Sequence, residues 1–377
     1  MPAMTPPQIL LSAGEASGDM YAARLAVALR ERTGAQFFGM GGARMKEAGV
    51  ELIADYHEIA VVGIAEVLHK IPTVIRVQRR LAREAARRHA SLAILVDSPG
   101  THLGVARRLK NAGIPVGYFI GPQVWAWRAG RVKTIRRLVQ HIVVIFPFEE
   151  KIYCDAGVPA DFVGHPLVDV VKPEIPRAEF AAAHGLDTAR PIVAILPGSR
   201  RNEIAQNYAT IIEACARLAA TKNAQFVLVA APGLSPEFFS RHARPDFPIT
   251  RVEGNTYSAL AAADCAIVAS GTATLEAALL GTPMVVVYRV SAASALVLRR
   301  MIRTPFFSMV NLIGGREIVP ELIQEDFTSA AVESEVRRLL DSPDARGEMK
   351  AGLREVRNKL GTGGAIERAA DIFARMV

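Results

Sequence analysis

The chain has 377 residues, half of them hydrophobic and 22% charged, with a net charge of +8. That length suits two domains and that composition excludes a disordered chain. The positive balance asks for an anionic partner, while three scattered cysteines, Cys154, Cys215 and Cys265, exclude a disulfide framework and a cysteine metal site.

In chain order, Ile9–Ala13 reads as a buried strand running into Gly14-Glu15-Ala16-Ser17-Gly18-Asp19, followed by a helical pattern from Met20 to about Arg32. Phe37–Met40 is a second strand, ending in Gly41-Gly42 before a short helix from Ala43. Strands alternating with helices predict an α/β fold with a doubly wound parallel sheet. The Gly14–Gly18 loop lacks the Lys-Ser/Thr of a mononucleotide P-loop, which argues against one. The opening residues have no basic stretch and too short an apolar run for a signal peptide, and no apolar run is long enough to span a bilayer. A cytoplasmic location is expected.

From Ala60 to Arg88, Val61, Ile64, Leu68, Ile71 and Ile75 recur at helical spacing beside Arg76, Arg79, Arg80, Arg83, Arg87 and Arg88. Such a helix either packs its apolar stripe on the sheet or lies on anionic lipid. Leu92–Val96 is a strongly apolar strand ending at Asp97-Ser98-Pro99-Gly100, with a helix expected from about Leu103. Ligands of open parallel sheets sit beyond the carboxyl ends of the strands, which places Asp97 for chemistry. Alternatively it caps the next helix, although Ser98 is equally suited to that task. After the strand Val116–Ile120 come Trp125 and Trp127, then a basic run from Arg128 to Arg137. Without a nucleic-acid-binding motif beside it, this run makes nucleic acid the least favoured anionic partner. Ile142–Phe146 and Phe162–Gly164 complete the first half.

His165-Pro166, Pro173 and Pro176 mark a connection, after which the theme restarts with the strand Ile192–Leu196 and Pro197-Gly198-Ser199-Arg200. Arg200 is placed to hold a diphosphate with its guanidinium, or is simply a surface arginine. Phe226–Ala230 is the next strand. Cys265 to Tyr288 then reads as a buried strand, a Ser270-Gly271-Thr272 turn, a helix from about Thr274 and a strand from Met284. A turn of this kind aims free amides and a positive helix end at one point, which suits a phosphate, with Glu276 close enough to accept from a ribose. Ser291 to Leu312 is a second apolar and basic stretch carrying Arg299, Arg300 and Arg303, and Ala365–Met376 is a final amphipathic helix.

Several stretches, in order along nearly the whole chain, resemble the lipid-A-disaccharide synthase family of inverting glycosyltransferases. They are Ala13–Asp19, Gly39–Met45, Val62–Leu68, Pro122–Arg128, Phe146–Glu149, Leu196–Arg200, Ala269–Glu276 and Asn311–Glu317. The resemblance implies a GT-B fold: two Rossmann-like parallel-sheet domains facing across a cleft, at 1–166 and 167–352, with a helical segment at 353–377 packing back on an N-terminal domain. It further implies transfer from UDP-2,3-diacylglucosamine to 2,3-diacylglucosamine 1-phosphate, giving a β-1′,6-linked disaccharide and UDP. No cofactor and no metal are implied. The acyl chains put the protein peripherally on the cytoplasmic face of the inner membrane, and a homodimer is left open. On this reading Asp97 is the base and Arg200 stabilises the leaving diphosphate. Gly14, Glu15, Ser17, Gln123, Trp125, Ser199, Ser270, Gly271, Thr272, Glu276 and Asn311 bind substrate, with Asn311 on the nucleotide.

Where the family usually has Ala-Pro-Asp-Phe-Asn after the catalytic aspartate, this chain has Ser98-Pro99-Gly100-Thr101-His102. Altered acceptor contacts are therefore expected at Gly100 and His102, with His102 a second candidate for the base role. Two other readings use the same residues: a UDP-N-acetylglucosamine 2-epimerase, which needs no lipid surface, and a non-catalytic nucleotide-sugar-binding protein.

Overall fold

The computed structural model describes residues 6–59, 64–125, 130–231, 233–242, 247–290 and 304–377, with backbone alone for 64–68. Val61, the side chains of Ile64 and Leu68, Trp127, Arg128, Arg299, Arg300 and Arg303 fall outside that description.

The apolar runs of the first half become β1 (Gln8–Ala13), β2 (Gln36–Gly41), β3 (Glu51–Asp55), β4 (Leu92–Val96), β5 (Val116–Phe119), β6 (His141–Val144) and β7 (Ala160–Phe162). They form a 7-stranded sheet in the order β3-β2-β1-β4-β5-β6-β7, with every pairing parallel. Every residue of β4 is buried, because helices cover both faces of a parallel sheet and leave no solvent face for polar alternation. The second half repeats the plan with β8 (Ile192–Leu196), β9 (Gln225–Ala230), β10 (Thr250–Glu253), β11 (Cys265–Ala269), β12 (Met284–Tyr288) and β13 (Glu321–Ile323). This 6-stranded sheet is ordered β10-β9-β8-β11-β12-β13 and is again parallel throughout. In each sheet the strand order reverses at one place, between β1 and β4 and between β8 and β11. At such a switch point the loops part on either side and open a crevice beyond the strand ends.

The chain divides into two compact units, one made of Met1–Pro166 with Leu360–Val377 and the other of Leu167–Lys359. The helix Pro343–Lys359 runs unbroken through residue 353, so the return to the first unit comes at Leu360 rather than at the expected 353. The returning helix Ala365–Ala374 inserts Phe373, fully buried, beside Phe119. Gly117 makes room for it, since a Cβ there would stand 2.6 Å from the Phe373 ring. Arg32 pairs with Glu367 and Asp371, and Arg368 donates to the Val163 carbonyl, anchoring the returning helix.

Helices begin earlier than the sequence patterns suggest: at Ala16 rather than Met20, Pro99 rather than Leu103, and Thr272 rather than Thr274. Each time the residues taken for a loop form the helix's own first turn. Asp19, in one such turn, is buried and accepts from the amides of Gly42, Arg44 and Met45 at 2.6, 3.1 and 3.2 Å. It thereby caps the short helix Ala43–Glu47 and ties the stretch at Ala13–Asp19 to that at Gly39–Met45.

The helix Ile64–Arg87 buries Val77, Leu81 and Ala85 against the first sheet's core. Ile71 is 44% exposed, and Arg76, Arg79, Arg80, Arg83 and Arg87 are exposed. Arg88 instead turns to Glu51 and Glu84. Among the described residues no helix is long and apolar enough to cross a membrane.

Candidate active site

In the first unit β1 and β4 end level, Ala13 opposite Val96, so Gly14-Glu15 and Asp97-Ser98 leave the sheet side by side. A Cβ on Gly14 would lie 2.4 Å from Ser98 Oγ; the close approach requires glycine. Asp97 (φ 50°) and Ser98 (φ 47°) are both left-handed, a conformation that disfavours each side-chain-bearing residue by roughly 1–2 kcal/mol. Fixed partners hold it. Asp97 donates its amide to Phe119 O at 3.0 Å, and its carbonyl accepts from His102 Nδ1 at 2.7 Å and Tyr118 Oη at 2.6 Å.

The half-buried Asp97 carboxyl is pushed up to about 7. Burial disfavours its charge, and the Glu15 carboxyl beside it adds a shared hydrogen bond and repulsion, with Glu149 a further negative neighbour. Glu149 is itself raised to about 7 by burial, against hydrogen bonds from the Trp125 indole and the Phe146 and Ile145 amides. Trp125 Nε1 reaches Glu149 Oε1 at 2.9 Å, and its ring stands edge-on to Phe146 and Phe148. The indole N–H of Trp125 is thus committed within the protein, and its ring is half-buried. Ser17 and Gln123 are exposed.

Two expectations here are corrected. His102 is fully buried, so it makes no acceptor contact. With Nδ1 on the Asp97 carbonyl and Nε2 at 3.0 Å from Ser12 Oγ, both nitrogens are occupied, and burial pushes the ring down to about 4. It is a neutral imidazole and no base for the acceptor. Gly100 is exposed, and a Cβ built there meets nothing within 4 Å.

In the second unit the loops after β8 and β11 enclose a cavity of about 470 Å³. It gathers Ser199, Arg200, Ser270, Gly271, Thr272 and Glu276, residues expected to meet the donor, together with Gly198. Glu203 organises one wall: its carboxylate accepts from the Ser199 and Arg200 amides at 3.2 and 3.3 Å and from Arg200 Nη1 at 3.1 Å. The Arg200 side chain is 75% exposed and free to turn to an anion. On the opposite wall the Ser270 amide donates to Val287 O in continuation of the sheet, which leaves Gly271 and Thr272, rather than all three, as amide donors at the start of the helix Thr272–Leu280. Burial raises the Glu276 carboxyl, and Tyr257 Oη lies 3.4 Å from its Oε1. Gly254, Thr256 and Tyr288 also line the cavity; nothing in their sequence setting marked them out.

Asn311 does not reach this cavity, which corrects its expected nucleotide contact. It is fully buried. Its Nδ2 donates to Val319 O and Glu321, and its Oδ1 accepts from the Ile318 and Val319 amides. Its side chain folds the 316–321 loop. Among the described residues no cluster of three or more His, Cys, Asp or Glu side chains is gathered for a metal.

The family model described as "Lipid-A-disaccharide synthetase" matches residues 9–373. The chain belongs to the lipid-A-disaccharide synthase family. The lipid-A-disaccharide synthase of Solibacter usitatus is 46% identical over 97% of this chain and 96% of its own length, and that of Myxococcus xanthus is 46% identical over the same shares. Family membership makes the chain a glycosyltransferase.

Solved structures share its two-sheet architecture at low identity. A UDP-GlcNAc 2-epimerase from Neisseria meningitidis bound to UDP-GlcNAc superimposes with a TM-score of 0.68 at 13% identity, covering 98% of this chain and 100% of the other. The calicheamicin glycosyltransferase CalG4 does so with a TM-score of 0.60 at 16% identity, covering 99% and 98%. These likenesses place the fold among GT-B glycosyltransferases and epimerases. Activity does not follow from them.

Proposed function

We propose that the protein transfers a 2,3-diacylglucosaminyl group from its UDP donor to the 6-hydroxyl of 2,3-diacylglucosamine 1-phosphate. Asp97, its carboxyl held near neutrality at a switch point, is the observation that carries this reading. As carboxylate it takes the proton of the acceptor hydroxyl while that oxygen attacks C1 of the donor. The C1–O bond to the diphosphate breaks with its electron pair going to UDP, and attack from the opposite face inverts C1 to the β-linkage. Arg200 and the Gly271 and Thr272 amides meet the charge growing on the diphosphate, and Glu276 accepts from the ribose hydroxyls. Gly14, Glu15, Ser17, Gln123 and the Trp125 ring contact the acceptor end. The exposed arginines of the Ile64–Arg87 helix, with Ile71 among them, draw the enzyme onto an anionic cytoplasmic membrane surface, where the acyl chains of both substrates reside.

The experiment is UDP release from UDP-2,3-diacylglucosamine in detergent micelles, with and without 2,3-diacylglucosamine 1-phosphate. Release that depends on the acceptor, with a disaccharide product, supports the proposal. UDP binding without turnover refutes it.

A further inference from the structure

The carbonyl of Asp97 has two partners that the reaction itself does not use. His102 and Tyr118 are both fully buried, come from different elements, one on the helix Pro99–Asn111 and one on β5, and converge on that one oxygen at 2.7 and 2.6 Å. Their rings meet edge-on with centroids 6.3 Å apart. Ser12 of β1, also fully buried, holds the far nitrogen of His102. Its hydroxyl donates to Nε2, which leaves the proton on Nδ1 and makes His102 a donor to Asp97. Neither partner is needed to pair an ordinary strand end.

We infer that His102 and Tyr118 are positioning residues, a two-donor clamp that holds Asp97 in its left-handed conformation and so aims its carboxylate at the acceptor hydroxyl. The inference rests on Asp97 being the base. Without the clamp the Asp97–Ser98 pair relaxes toward ordinary φ and the carboxylate swings away from the acceptor. A displacement of about 1 Å in a reacting group is enough to lower a rate on the order of 100-fold.

The test compares Y118F, H102L, H102N and D97N in the UDP-release assay. Y118F deletes one donor and leaves the ring. H102L deletes the other and keeps its bulk. H102N restores a donor, because the asparagine Nδ2 stands as many bonds from Cα as the imidazole Nδ1. Y118F and H102L are expected to lower kcat roughly 10–100-fold with KM for both substrates nearly unchanged, and H102N to recover most of the loss. The pH profile of kcat should shift in Y118F and H102L, since the groups facing the Asp97 carboxyl, Glu15 and Glu149, then meet it at altered distances. Thermal unfolding, together with an unchanged KM for the acceptor, reports intact folding of the first unit, where both substitutions lie. Wild-type kcat in Y118F overturns the clamp, as does an H102N variant no better than H102L; should H102L fail to fold, Y118F decides alone. D97N with undiminished turnover would instead bring down the base assignment, a result separate from either of these.

Discussion

Gly14 and Ser98 belong to neighbouring strand ends, and a Cβ added to the first would stand 2.6 Å from the Cβ of the second. Gly14 is therefore a spacing element for the Asp97 loop. Gly14→Ala must push Ser98 away and carry Asp97 with it. We expect a kcat lowered roughly 10–100-fold and a stability loss of about 1–3 kcal/mol, read by steady-state UDP release and by thermal unfolding.

The pH dependence follows from Asp97. A base must be unprotonated, so kcat/KM should rise with pH and level off above about 7, the value to which burial and Glu15 push the carboxyl. Asp97→Asn should lower turnover on the order of 10²–10⁴-fold. Stability moves the other way. The fold favours the neutral carboxyl, a contribution complete below the unfolded carboxyl range and lost as pH rises through about 7. Asp97→Asn should therefore melt higher than the wild type at pH 8, by on the order of 1 kcal/mol or roughly 2–4 °C, and alike at pH 4. A lower Tm of the variant at pH 8 would contradict the raised carboxyl.

Donor binding separates into charge and sugar recognition. Arg200→Ala should weaken UDP roughly 10–100-fold, the loss of a charge-assisted contact, with a shallower salt dependence in calorimetric titration. Glu276→Ala should erase discrimination between UDP and 2′-deoxy-UDP while leaving the diphosphate contribution in place. Equal selectivity in the variant and the wild type would remove Glu276 from the ribose.

Asn311→Ala should act on folding alone. Its side chain makes four hydrogen bonds, three of them buried and the one to Glu321 part-buried, and the unpaired amides and carbonyl left behind are expected to cost roughly 2–4 kcal/mol. The UDP affinity of the folded fraction should match the wild type; a selective loss of affinity would return Asn311 to the nucleotide.

Gly100→Asp places a carboxylate in open space at the first turn of a helix, where the dipole favours it. Its effect on Tm should stay within about 0.5 kcal/mol. Any change it makes in acceptor KM then reports directly on ligand contact.

The strands were legible because both faces of a parallel sheet are buried: Leu92–Val96 and Cys265–Ala269 are unbroken apolar runs, and a five-residue run between helical patterns has few other uses. The placement of the candidate site residues was legible to the same depth. Asp97, Arg200 and Ser270 each follow such a run, and the order of βα units puts those ends at the switch points. What escaped was pairing across long separations. His102 and Asn311 sit in polar, motif-like stretches and look like ligand contacts, yet each is fully buried and serves backbone groups whose positions only the fold determines. Asp97 meeting Glu15, and Glu276 meeting Tyr257, are likewise invisible to local pattern. Asp19, at the end of a glycine-rich stretch, caps a neighbouring helix, a role that no local pattern announces.

The return of Leu360–Val377 to the first unit sets an order of assembly on the ribosome. When the nascent chain has been made through Pro166, Gly117 and Phe119 have no Phe373 to pack against, and Arg32 has neither acidic partner. The first unit is translated first and finished last, after every strand of the second has been synthesised.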